Sequence, residues 1–180
     1  MTQTDPQISM GPQITIEPMS AAQFAPFGDL LDTTGAPDVM INQGLCERYS
    51  DRADLTFKDA RAGISLFQAE LRSLPYTLDL VERHPLGSQA FIPMSADSFL
   101  VITAPDENGT PGTPRAFLTA PGQAINFHAN TWHGILTPLS GNGLFAVVDR
   151  IGDGNNLQEH WFETPFTIVS DPKIAGTETA

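Results

Sequence analysis

Three of the chain's four histidines, His84, His128 and His133, fall in two short stretches rich in turn residues. The first runs Glu82-Arg83-His84-Pro85-Leu86-Gly87-Ser88-Gln89 and the second Phe127-His128-Ala129-Asn130-Thr131-Trp132-His133. Each reads as a strand end, a tight connection and the start of the next strand, so imidazoles from both can converge in one small β-barrel. Imidazole titrates near neutral pH and is the commonest protein metal ligand, so such a meeting point serves acid–base or metal chemistry. Along the expected strand Tyr76–His84 the even positions are Tyr76, Leu78, Leu80, Glu82 and His84. Side chains alternate across a strand, so the apolar row turns ionisable at its end. A buried carboxylate and imidazole need partners, protons or a metal, which predicts a lined cavity there. The plainer alternative leaves Glu82 and His84 hydrated at a rim, with His128 capping a turn and His133 half-buried. Two such coincidences on consecutive hairpins weigh against it.

The elements that must hold these residues are mostly short strands. Strands are expected at Leu45–Ser50, Gly63–Glu70, Tyr76–His84, Gln89–Met94, Phe99–Ala104, Arg115–Thr119, Ala124–His128, His133–Thr137 and Leu144–Asp149. Turn signals such as Asn108-Gly109, Pro121-Gly122 and Gly141-Asn142-Gly143 separate them. This spacing predicts a mainly β jelly roll or closed antiparallel barrel, with no room for the crossover helices of a parallel α/β sheet. Ile14–Pro18 alternates like an opening strand. Ser20 then caps a short helix whose apolar residues Phe24, Phe27, Leu30 and Leu31 recur at three- and four-residue spacing, with Pro26 and Gly28 limiting it. Residues 32–44 read as a loop. A single domain over residues 13–169 is expected, with a frayed extension at 1–12 and a loose tail at 170–180.

Composition narrows the partners. Nine basic against 21 acidic residues give a formal charge of −12, which repels nucleic acid and anionic membranes. An anionic substrate would need a few arginines to overcome that field locally. The lone cysteine, Cys46, excludes an intrachain disulfide and fits a reducing cytoplasm, where it reads as a small buried apolar residue. The polar start and the lack of long apolar runs predict neither a signal peptide nor a membrane span.

Two resemblances rest on these residues. The spacing is similar to that of the cupins, small jelly-roll barrels. Glu82, His84 and Gln89 stand at three ligand positions of the first cupin motif, and Gly122, His128, Asn130 and His133 keep the spacing of the second. His84 and His133 match in type, Glu82 and Gln89 do not, and Ala96 replaces a glycine. The closer resemblance, over most of residues 14–155, is to the ureidoglycolate lyase family, older name ureidoglycolate hydrolase. Its carriers are the Phe24–Asp29 segment, the string from Ile41 to Tyr49, the string from Glu82 to Met94, Arg115-Ala116-Phe117, His128 to His133, and Asp149-Arg150. After His133 the chain departs from the family pattern with Gly134-Ile135, in place of a further histidine before Pro-Leu.

The resemblance implies a cupin-like enzyme, dimeric and nickel-associated, that splits ureidoglycolate into glyoxylate and urea during purine degradation through allantoin. Elimination requires a base for the carbinol hydroxyl, an acid for the departing nitrogen and a holder for the carboxylate. His84 and His133, with Gln89 and Glu82, are the candidate ligands of a divalent metal such as Ni2+; no organic cofactor is expected. Such an ion would lower the pKa of the hydroxyl. His128 is the candidate for proton transfer, hypothetically as base. Gln89, neutral and a weak ligand, alternatively hydrogen-bonds the ureido group. For the carboxylate, the planar fork of Arg48 or Arg115 ranks above Arg83, which points opposite His84, and above Arg150, read as half of a structural pair with Asp149. Tyr49 and Asn42 are polar contact candidates. Two competing functions stay open: an amidohydrolase releasing ammonia and carbon dioxide, and a non-catalytic cupin-like binding or sensor protein.

Overall fold

The structure, a computed structural model, describes residues 11–171. The expected terminal extension and tail fall mostly outside that range. Within it, Pro12 is already held, its carbonyl accepting the Thr167 amide at 2.9 Å.

The fold is mainly β, as the strand spacing predicts. One sheet closes on itself. Its order runs Arg115–Leu118, Gln13–Pro18, Gln158–Val169, Tyr76–Arg83, Trp132–His133 and Phe99–Ala104, which pairs back onto Arg115–Leu118, with Thr137–Pro138 at its flank. A second, five-stranded sheet runs Gly28–Leu31, Ala124–Phe127, Gln89–Pro93, Leu144–Ile151 and Arg61–Gln68.

Two cores follow from strand alternation. Leu100 and Ile102 join Ile16, Leu78, Val81, Ala116, Trp132 and Ile168 in one cluster. The opposite face of the same strand, Phe99 and Val101, packs with Phe117 against Phe24, Phe91, Phe127, Phe145 and Val147 in the other. Strand Phe99–Ala104 is therefore buried throughout. The second cluster is aromatic-rich, with tilted and edge-on rings such as Phe24 against Phe117 at 6.2 Å.

The helix is a single turn, Ala21–Phe24, with Ser20 accepting the Gln23 amide as its cap. Leu30 and Leu31 are not part of it. They lie in strand Gly28–Leu31, paired with Ile125 and Ala124. Pro26 lacks the amide a helix needs. At Gly28 a Cβ would stand 2.0 Å from the Asn126 carbonyl oxygen, so the strand approaches its partner as only glycine permits. The expected loop at 32–44 also contains structure: Val39–Ile41 pairs with Cys46–Arg48 across the tight turn Asn42–Gly44. Cys46, expected in a core, sits half-buried on this hairpin. The long strand Gln158–Val169 has no counterpart among the expected elements.

Candidate active site

Glu82 and His133 are cross-strand partners in the closed sheet. His84 lies two residues beyond Glu82, on the same side of the chain, so the three side chains meet. One donor atom from each of Glu82, His84 and His133 lies within 4.8 Å of the others. The imidazole rings are 5.4 Å apart, and the Glu82 carboxylate is 3.7 Å from His84 Nε2, too long for a hydrogen bond.

The burial expected along the row of Leu78 and Leu80 weakens before Glu82. Leu78 and Val81 are the buried residues of this strand and Leu80 is only half-buried; the partner strand shifts register between Trp161 and Phe166. Past that irregularity Val81 and Arg83 share one face, and Glu82 and His84 the other. Arg83 stacks over the Trp132 ring at 4.3 Å and binds Asp106 and Gln158, away from the histidines.

Each histidine is held by its Nδ1. His84 Nδ1 lies 2.7 Å from the Asn156 carbonyl oxygen, and His133 Nδ1 lies 2.9 Å from that of Gly134. A carbonyl only accepts, so both rings carry the proton on Nδ1 when neutral and present a bare Nε2 lone pair. Both Nε2 atoms are buried without a hydrogen-bond partner. Asn156 also accepts the Leu86 amide through its side chain at 2.7 Å, tying the turn after His84 to the same residue. His133, 2 % exposed, lies flat on Phe127.

The electrostatics of the three residues differ. Burial pushes the pKa of His133 down to about 4, helped by the neighbouring His84 and opposed by Glu82. Burial also works against a charged His84, but the Glu82 carboxylate, the Asn156 carbonyl and the Asp149 charge outweigh it and raise its pKa. The contact with His84 holds the Glu82 carboxyl below its usual range despite burial.

The void inside the aromatic cluster is only about 10 Å³, so the interior there is packed. Open space begins at its polar end, in a cleft of about 230 Å³ lined by His84, Ser88, Gln89, Asp149, Arg150, Asn156 and Leu157. Register explains the polar wall. Val147 pairs with Phe91 and Val148 with Ala90, so Asp149 and Gln89 are the next residues at the same end of the sheet. Gln89 Oε1 is buried without a partner. Asp149 receives a 3.3 Å hydrogen bond from Ser65, and burial raises its pKa. Sequence reasoning assigned Asp149 to Arg150, but Arg150 instead donates to the carbonyls of Lys58 and Asp153. Asp149 and Asn156 are the residues that sequence reasoning missed. For Asp149 the signal was the alternation Phe145, Val147, Asp149; for Asn156 there was none.

Other expected site residues lie elsewhere. His128 does not join the cluster: its Nε2 is 3.1 Å from Asp29, which also accepts from Asn126 and the Asp54 amide. Arg115 is held by both oxygens of Glu17, at 3.1 and 2.8 Å, and lies over Phe117. Asn42, Arg48 and Tyr49 belong to the hairpin segment, and Tyr49 donates to Glu47. The structure joins none of these five residues to the histidines by a hydrogen bond or ion pair.

The family model described as ureidoglycolate lyase matches residues 11–169. The chain is 56% identical to the ureidoglycolate lyase of Rhodobacter capsulatus over 157 residues, covering 87% of this chain and 98% of the other. It is 50% identical to ureidoglycolate lyase 2 of Rhizobium meliloti, covering 86% and 96% of the two chains. To the ureidoglycolate lyase of a Chelativorans species it is 47% identical, covering 87% and 96%. A match of this extent takes in both sheets, the histidine cluster and the cleft beside it, and on that basis the chain belongs to the ureidoglycolate lyase family.

Proposed function

We propose that this protein is a carbon–nitrogen lyase that eliminates urea from ureidoglycolate and leaves glyoxylate. The observation that carries it is the meeting of two bare imidazole Nε2 atoms with the Glu82 carboxylate beside a polar cleft. In the reaction the carbinol O–H gives up its proton, its electrons form the aldehyde C=O, and the C–N bond breaks toward nitrogen. That nitrogen collects a proton and leaves as urea. Neither a nucleophile nor a water is consumed.

The donor set suits a divalent ion: two neutral nitrogen donors and one carboxylate, the nitrogens buried and otherwise unpaired. Glu82, His84 and His133 would hold it, and when bound it supplies Lewis-acid polarisation of the substrate hydroxyl. Nickel is part of the proposal. Gln89 faces the cleft with a free acceptor, matched to the N–H groups of the ureido end. Asp149, which lines the cleft and whose burial favours the protonated carboxyl, would hand a proton to the departing nitrogen. Asn156 fixes the tautomer of His84, and Phe127 closes one face of His133 to water.

We further propose a homodimer working in the cytoplasm. The exposed apolar face of the five-stranded sheet supports the dimer and the lone Cys46 supports the compartment. No helix among the described residues is long and apolar enough to cross a membrane.

The test is product analysis with purified protein and ureidoglycolate. Equal amounts of glyoxylate and urea are expected. Ammonia with carbon dioxide would identify an amidohydrolase instead, and binding without any glyoxylate at high protein concentration would identify a sensor.

A further inference from the structure

Ureidoglycolate carries a carboxylate, and the cleft meant to receive it is acidic. Asp149 lines it, Glu82 lies behind the lining His84 at 3.7 Å, and its one lining guanidinium, Arg150, is spent on the carbonyls of Lys58 and Asp153 at 2.8 and 2.9 Å. Arg83 points to the other face of its strand, paired with Asp106 at 2.8 Å. Arg115 is paired with Glu17. The cleft of a single subunit therefore offers the substrate carboxylate no free guanidinium.

A free guanidinium exists on the hairpin of strands Val39–Ile41 and Cys46–Arg48. Among the described residues, every hydrogen bond and ion pair of residues 38–50 is made within residues 38–52. Arg48 makes none with its side chain. A lone two-stranded hairpin is marginal in water, and this one exposes Val39, Met40 and Leu45, the last 88 % accessible. Asn42 and Gln43 hold φ of 52° and 63° before Gly44, a left-handed turn closed only by contacts within the hairpin itself. The same chain exposes an apolar sheet face. Ile64 and Leu66 are 77 % and 67 % accessible, and Ile92 and Met94 continue the patch across Ala146.

We propose that a second copy of this chain completes the active site: packed on the exposed sheet face, it reaches over with the 38–50 hairpin and delivers Arg48 to the acidic cleft as the clamp for the substrate carboxylate. Charge complementarity selects this occupant, since the hairpin carries an unspent guanidinium and the cleft is lined by Asp149 with no free guanidinium of its own. A twofold dimer makes the exchange reciprocal, each subunit lending one arginine and receiving one. The proposal rests on the lyase assignment for the identity of the anion, but not for the placement of the hairpin.

Two experiments test it. Differently tagged Arg48→Gln and His133→Gln chains are co-expressed and the doubly tagged heterodimer isolated, with Glu82→Gln replacing His133→Gln if that chain fails to fold. Each homodimer should be nearly inactive. Sharing across subunits leaves one of two sites intact, so the heterodimer should regain about half of wild-type glyoxylate release. An inactive heterodimer, or an Arg48→Gln homodimer of full activity, overturns the proposal. The second experiment needs no turnover. In a Cys46→Ala background, a chain with Leu45→Cys and a chain with Leu157→Cys, on the exposed rim of the cleft, are co-expressed and treated with a short thiol cross-linker. A link between the two different chains is expected; no such link, or a monomer by sedimentation, overturns the proposal. A wild type that cross-links but releases no glyoxylate would instead count against the lyase assignment alone.

Discussion

The imidazole of His133 lies parallel to the ring of Phe127, with centroids 4.2 Å apart and planes 6° from parallel. The two residues belong to different sheets, so the stack joins the closed sheet to the five-stranded one at the edge of the aromatic cluster. It also sets the ring's remaining freedom. With Nδ1 bound to the Gly134 carbonyl and one face covered, Nε2 is left toward Glu82 and His84.

Removing that ring should cost both metal and fold. His133→Ala leaves a cavity against Phe127, for a loss of about 2–4 kcal/mol in urea denaturation. His133→Gln keeps more volume, and its metal content, read by elemental analysis, should still fall below that of the wild type. Chelation of the wild type should abolish glyoxylate release, and a divalent ion should restore it. Full activity in the chelated protein would remove the metal from the proposal.

The pH dependence of stability follows from burial of His133. Its folded pKa is lowered to about 4 from 6.5, so between those values the unfolded chain binds the extra proton. The associated stability is present above 6.5 and is lost as pH falls toward 4, with a slope of at most about 1.4 kcal/mol per unit. The raised pKa of His84 acts in another window: its contribution is complete below 6.5 and is lost as pH rises through its folded value. Urea midpoints of metal-free protein across pH 4–7 should show the acid-side slope, and His133→Gln should flatten it. An unchanged slope in that variant would place the titration elsewhere.

Asp149→Asn tests the proton donor. The carboxamide keeps the shape and can still pair with Ser65, but has no acidic proton to transfer. A fall in kcat of about 10²–10⁴-fold with little change in KM is expected. A loss confined to KM would make Asp149 a binding group.

Asn156→Ala keeps the carbonyl that holds His84 but removes the acceptor for the Leu86 amide. The turn beneath His84 should loosen, lowering metal affinity by about 10–100-fold, as for other residues that orient ligands. Titration with the metal alone measures this.

His128→Gln should leave glyoxylate release near wild type, because His128 is committed to Asp29 and lines no part of the cleft. The loss of a partly exposed pair should cost no more than about 1 kcal/mol. A large fall in kcat with an intact fold would return His128 to the reaction.

The local pattern of the chain was enough to show a mainly β fold and to bring forward Glu82, His84 and His133, together with Gln89 and His128. Strand alternation, turn residues and ligand type are properties of neighbouring residues, and the family strings carry the rest. It misplaced whatever depended on distant partners. Leu30 and Leu31 kept a helical spacing, yet pairing with Ala124–Phe127 made them strand. Arg115 and His128 had the right chemistry and the wrong neighbours. Their carboxylate partners, Glu17 and Asp29, lie 98 and 99 positions away in sequence, and no local rule foresees which charge a guanidinium or imidazole will meet. Asn156, 72 positions from His84, was invisible for the same reason. By itself the sequence determined which side chains could do chemistry. The tertiary structure decided which of them are free to do it, because a buried polar group is available only when no folded neighbour has already satisfied it.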